Sequence, residues 1–197
     1  MTDDIHKARW TLWRARRRAQ AAGKTGRAAT ITSALQALVP LFRSPAPAPY
    51  GKTDVRGHTL DNLTDYALLA VEKRLGYNPR SLTVVQGSYN GGAGKVSASA
   101  GTHDGGGAVD LTPANWEQKV HAMRAVGFAA WHRTAIPGVW EEHVHAVLIG
   151  NEKLSPSAQA QVTDYRNHRD GLAGHGPDNT WHPDPIPTFH MPKYAVK

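Results

Sequence analysis

Apolar positions recur at helical spacing from Ile5 to about Phe42, interrupted by a helix end and turn over Ala19–Gly26. Trp10 and Trp13, three apart, share one face there. Leu35, Leu38 and Leu41 predict one face of a second short helix over Thr32–Leu41. In Ser44-Pro45-Ala46-Pro47-Ala48-Pro49, alternate prolines remove backbone donors and fix φ, so a stiff extended linker is expected. Beyond it Leu63, Ala67, Val71 and Leu75 recur at four-residue steps from Asp61, and Gly76 stops that helix. Leu82-Thr83-Val84-Val85 reads as a strand, Gly87 through Gly94 as a glycine-rich loop, and Ala108-Val109-Asp110-Leu111 as a second strand. Thr112 with Pro113 behind it predicts the cap and first position of a helix running past Trp116, Val120 and Met123 to Gly127. Phe128–Trp131 and His143–Ile149 predict strands joined through Ile136-Pro137-Gly138, and Ser155-Pro156 opens a helix to about Arg166. The remainder, through Asp184-Pro185-Ile186-Pro187, carries no regular pattern. The order α, β, β, α, β, β predicts an α+β fold, a small and mainly antiparallel sheet flanked by helices. The expected division is a helical segment over 1–44, a Pro-rich linker over 45–54, a chemical domain over 55–150, and a C-terminal helix with an irregular tail over 151–197.

Charge sharpens that division. Of 23 Lys+Arg and 16 Asp+Glu, residues 1–50 hold nine bases and two acids, so 9 − 2 gives the whole net charge of +7. Residues 51–197 hold 14 of each sign and sum to zero. A hydrophobic content of 40% is enough for an ordinary core. No run of about 18 apolar residues exists to span a membrane, and the first residues lack the apolar core of a secretory signal. Cys is absent, which excludes disulfides, thiol nucleophiles and Cys-ligated zinc. Any metal is left to carboxylates and to the 11 histidines.

Two stretches carry candidate chemistry. In His103-Asp104-Gly105-Gly106-Gly107-Ala108-Val109-Asp110, three glycines let the backbone turn sharply, so His103 and Asp110 can converge from a loop and a strand. In Glu141-Glu142-His143-Val144-His145, His143 and His145 sit at i and i+2 of a strand and project from one face. A His, an Asp and a His with one open position make a hydrolytic zinc site. A phosphate loop ending at Gly94-Lys95 is rejected, because Tyr89 stands at the first required Gly and Val96 at the Ser or Thr position. The remaining histidines (His58, His121, His132, His168, His175, His182 and His190) are scattered and expected at solvated positions.

The pattern His-x-x-Gly-x-Ala-x-Asp, formed by His103, Gly106, Ala108 and Asp110 and followed by a late His at a strand start, resembles peptidase family M15. That family of zinc peptidases includes D-alanyl-D-alanine carboxypeptidases and phage L-alanyl-D-glutamate endopeptidases. It belongs to a wider group with lysostaphin-like enzymes and the Hedgehog signalling domain. The resemblance covers roughly residues 55–150 and implies a zinc peptidase domain with His103, Asp110 and His145 as ligands. It implies the peptide part of peptidoglycan as substrate, and a phage endolysin held in the host cytoplasm until released to the wall. For the general base it offers Glu142, three before the last ligand, as in the carboxypeptidases, or His143, as in related His-x-His enzymes. Strand alternation turns Glu142 away and His143 toward the metal, which favours His143. Where many members carry a substrate-binding Arg after a Ser-Gly-Tyr run, this chain has Gln86-Gly87-Ser88-Tyr89-Asn90. Gln86 or Asn90 is then expected to donate hydrogen bonds to substrate, which suits an internal bond and leans toward endopeptidase. The family's Ser two before the first ligand is Gly101 here.

The basic segment has three readings: an anchor to anionic wall polymers, a solvated face packed on the catalytic domain, and, least favoured, a phosphate-binding surface for nucleic acid.

Overall fold

The structure is a computed structural model that describes residues 2–42, 45–90 and 101–193. Ser44, the end of the expected glycine-rich loop and the side chains of Leu38 and Leu41 fall outside the described residues. Two compact units emerge: Met1–Ala46 with Pro192–Lys197, and Pro47–Met191.

In the first unit, α1 (Thr2–Ala21) and α2 (Thr25–Phe42) pack against each other around Gly23, whose φ of 67° makes the turn. The second helix begins at Thr25 rather than at Thr32. Thr30, Thr32 and Ser33 are accommodated because each hydroxyl donates to the carbonyl four residues back. Trp10 and Trp13 are exposed and meet edge to face at 4.9 Å, with Arg14 over one ring and Arg17 over the other.

The second unit opens with a hairpin the hydrophobic pattern did not predict, β1 (Lys52–Val55) and β2 (His58–Asp61). Its turn residues Arg56 and Gly57 both have positive φ, as two-residue hairpins require, but an Arg in the first place hides the usual Asn-Gly signal. The extended linker expected over 45–54 is correspondingly shorter. The Pro49 and Gly51 carbonyls accept the Leu63 and Asn62 amides, and Asn62 donates to Ala48, so the segment ties off the free start of the next helix.

That helix, α3 (Asn62–Leu75), has the anticipated ends. Asp61 accepts from the Thr64 amide and Gly76 closes it at φ 72°. A four-stranded antiparallel sheet follows in the order β3 (Val84–Gln86), β4 (Ala108–Leu111), β6 (His143–Leu148), β5 (Phe128–Arg133). Between β4 and β5 lies α4 (Trp116–Val126). Thr112 does not cap it; Asn115 stands in that place without a side-chain bond. Thr112 is held by the sheet through the Thr83 carbonyl, and both its oxygens accept from the Lys119 ammonium.

One sheet face, carrying Val109, Leu111, Ala130, Val144 and Ala146, packs with α3 and α4 residues including Leu68, Val71, Val120 and Met123. The other face carries Ala108, Ala129, Trp131 and Val147 and is covered in part by Ala158, Val162 and Tyr165 of α5 (Pro156–Arg166), capped by Ser155. The tail is not a loose appendage: buried Arg124 donates to the Trp181 carbonyl and to Asp178, Trp131 donates to the Arg169 carbonyl, and Phe189 and Met191 pack on the core. Residues 151–191 therefore belong to the same unit as the sheet, and the boundary expected at 150 is absent. The chain has an α+β fold, and no helix among the described residues is long and apolar enough to cross a membrane.

Candidate metal centre

Register builds the site. Gln86 pairs with Asp110, Asp110 with His145, and His145 with Trp131, so four strands place one row of side chains on the same face. Two residues along, His143 pairs with Arg133. The 3₁₀ turn Thr102–Asp104 then brings His103 over the row from outside the sheet.

The triple glycine permits that approach. A Cβ on Gly105 would strike the Lys153 carbonyl, and one on Gly106 would strike Asp61 and lie 2.7 Å from the Tyr89 hydroxyl. Gly107 takes φ 81° and donates to the Asp61 carboxylate. Asp61 also accepts from Asn151, so one buried carboxylate fixes both the helix start and the glycine turn. The Tyr89 hydroxyl is pushed up to about 12, by burial first and then by the Asp61 charge.

His103, Asp110 and His145 are all buried, and one donor atom from each lies within 4.8 Å of the others. His103 Nδ1 faces the Gly87 carbonyl at 2.8 Å and its Nε2 faces Asp110 Oδ2 at 3.4 Å. His145 Nδ1 lies 2.6 Å from Asp110 Oδ1, and its Nε2 lies 2.8 Å from Gln161 Oε1. Every ring nitrogen of the pair thus looks at an acceptor. Without a metal, His103 must be imidazolium to satisfy both its nitrogens, between the Gly87 carbonyl and Asp110, whereas at His145 the Gln161 amide can turn to donate. Burial opposes that charge. It is the largest influence on both rings: it drives His145 down, whereas for His103 the hydrogen bond and charge of Asp110 outweigh it and the net shift is up. Asp110 is held far below the usual carboxylate range by the two histidines despite its burial. A cation among His103 Nε2, His145 Nδ1 and Asp110 relieves the conflict, with Gly87 and Gln161 orienting the outer nitrogens. Two imidazoles and a carboxylate suit zinc. The residues present fit the metal.

His143 stands beside this trio, its Nε2 3.9 Å from Asp110 Oδ2 and its Nδ1 2.6 Å from the Glu141 carbonyl. Glu142 points elsewhere: it is exposed and bonds His132 on β5 at 2.7 Å, and that ring stacks on Trp116 at 4.2 Å. The cleft at the trio, about 70 Å³, is lined by Gln86, Thr102, Arg133, Trp140, Gln161 and Leu172 besides the trio itself and His143. Gln86 is therefore at the site. Asn90 is outside the lining, with its amide bonded to the His103 carbonyl. Arg133, Gln161 and Leu172 escaped the sequence reading, because cross-strand pairing and the docking of α5 bring them in. His182, expected in solvent, is instead stacked on Tyr165 at 4.5 Å.

Comparison of the chain with protein-family models, curated proteins and solved structures finds no match.

Proposed function

We propose that the chain is a zinc-dependent peptidase that cuts peptide bonds of bacterial peptidoglycan, as an endopeptidase of the endolysin kind. One observation supports the hydrolytic part: two buried histidines, His103 and His145, each turn one nitrogen to Asp110 and the other to an outer partner, Gly87 or Gln161, with His143 next to them in the cleft. Peptidoglycan as substrate rests on the likeness of His103, Gly106, Ala108, Asp110 and His145 to the M15 pattern.

Bound zinc would supply Lewis acidity and an acidified water. The chain supplies the proton path. A carbonyl can only accept, so the Glu141 contact places the His143 proton on Nδ1 and leaves the Nε2 lone pair facing the cleft. That nitrogen takes the proton of the attacking water and returns it to the leaving amine. Glu142 has no part in this scheme. Gln86, at the end of the row and lining the cleft, is the side chain assigned to the substrate backbone in this reading. The basic first unit, with its exposed Trp–Arg face, serves as the anchor to anionic wall polymers.

The test is zinc content together with mass spectrometry of purified peptidoglycan after digestion. Internal peptide cleavage that requires metal supports the reading. Release of terminal D-alanine alone would make the enzyme a carboxypeptidase, and stoichiometric zinc with no product would leave a metal-containing binding domain.

A further inference from the structure

Arg133 is a buried cation with no anion of its own. Only 7% of it is exposed, and its Nη2 has no hydrogen-bond partner. Among the described residues no carboxylate lies within ion-pair distance of it. Asp110 is committed to two histidines, Asp178 is engaged by Arg124 and His182, and Asp170 accepts from the Leu172 amide. A buried charge left unpaired is strongly destabilising, and burial here lowers the guanidinium only to about 10, so it stays charged.

The surroundings hold the fork in place where Arg133 lines the cleft. The guanidinium carbon lies 5.1 Å from the Trp131 ring centre, so the stem is steadied along an aromatic wall. The C-terminal loop passes behind at Gly171, where even a Cβ would come within 3.0 Å of Trp131 and 3.4 Å of Nη2. Arg133 lines the same cleft as the trio and is the cross-strand neighbour of His143.

We infer that Arg133 binds a free carboxylate of the substrate, by a bidentate contact, close to the bond that is cut. This deepens the peptidase reading and rests on it. A planar fork with an unpaired nitrogen matches carboxylate geometry, and a neutral peptide would leave the cation unsatisfied. With a divalent metal in place, Asp110 alone cannot balance the cleft, and a substrate carboxylate supplies the missing negative charge. In a peptidoglycan stem the carboxylate can come from the isoglutamate, from the diamino acid or from the C-terminus.

The experiment takes the zinc-loaded full chain and four synthetic stem peptides: one with all carboxylates free, and three with one of those groups converted to the amide. One amidation is expected to raise KM roughly 10- to 100-fold, the yield of a charged hydrogen bond, while the others change little. Arg133→Gln is expected to lose that discrimination with zinc content unchanged. Arg133→Lys should keep part of it, since the charge remains but the fork does not. Calorimetric binding of the acid and amide peptides to metal-free protein gives a readout that needs no turnover, and should show the same preference in the wild type alone. Equal treatment of all four peptides by the wild type overturns the inference. So does a loss of kcat in Arg133→Gln that is equal for acid and amide, which would assign the guanidinium to the reacting carbonyl. If no peptide is cleaved, the peptidase reading fails, and the calorimetric preference still decides Arg133.

Discussion

His145 touches Asp110 and Gln161 through its two nitrogens and stacks beside Trp131 at 6.1 Å. Replacing it by Ala is expected to abolish about one bound zinc per chain; metal analysis that finds the stoichiometry unchanged would put the site elsewhere. Protons compete for the same nitrogens. His103 is raised in the metal-free protein, despite its burial and chiefly by its hydrogen bond to Asp110, so it keeps its proton to a higher pH than a free imidazole and metal must displace that proton. Metal affinity is therefore expected to rise with pH and to fall on acidification, from acid pH up through the imidazole range. Competition with a chromophoric chelator across that interval checks this, and a flat profile contradicts it. For turnover, His143→Ala should keep its zinc and slow by about two to four orders of magnitude, as expected for a lost acid–base group. Glu142→Ala should be close to wild type, because that carboxylate is engaged with His132 outside the cleft. The reverse order of damage would transfer the role to Glu142.

Among the elements, the glycine turn and β4 are held by the Asp61 carboxylate, which also caps α3. Gly106→Ala drives a methyl into Asp61 and Tyr89 and should destabilise the fold by about 1–3 kcal/mol, the usual range for overpacking. A Tm close to wild type would show that the turn yields more easily than its packing implies. Elements with local punctuation were legible in advance. Asp61 and Gly76 bracket α3 and Ser155-Pro156 opens α5, because caps are chemistry between near neighbours in sequence. The candidate ligands were legible too, from two short motifs. What escaped depends on partners far along the chain. Thr112 reads as a cap, but Lys119 and Thr83 claim it, and the β1–β2 hairpin carries Arg56 where the usual Asn-Gly turn signal has Asn. Trp131 and Arg133 alternate onto one face of β5, a hint of Arg133, but only its pairing with His143 says what it faces.

On the scale of the whole molecule, charge and candidate chemistry occupy different units. The net +7 lies before residue 51, and the His–Asp–His trio lies within Pro47–Met191. Removing residues 1–46 should therefore leave metal binding and cleavage of small soluble peptides near wild type. Attachment to whole cells should weaken and lose its salt sensitivity, since exposed charges are screened over roughly 8 Å at physiological ionic strength. An insoluble or metal-free truncation would show instead that the helical pair is needed to complete the fold. The row Gln86, Asp110, His145, Trp131 has one more consequence. Side chains alternate with a period of two, so a slip of one residue between β4 and β6 turns Asp110 or His145 to the opposite surface. A molecule that has zipped its strands wrongly cannot chelate. Metal capture during refolding would then act as a proofreader, drawing the population toward correct alignment, and the rate of zinc uptake would time the moment when the sheet finds its registration.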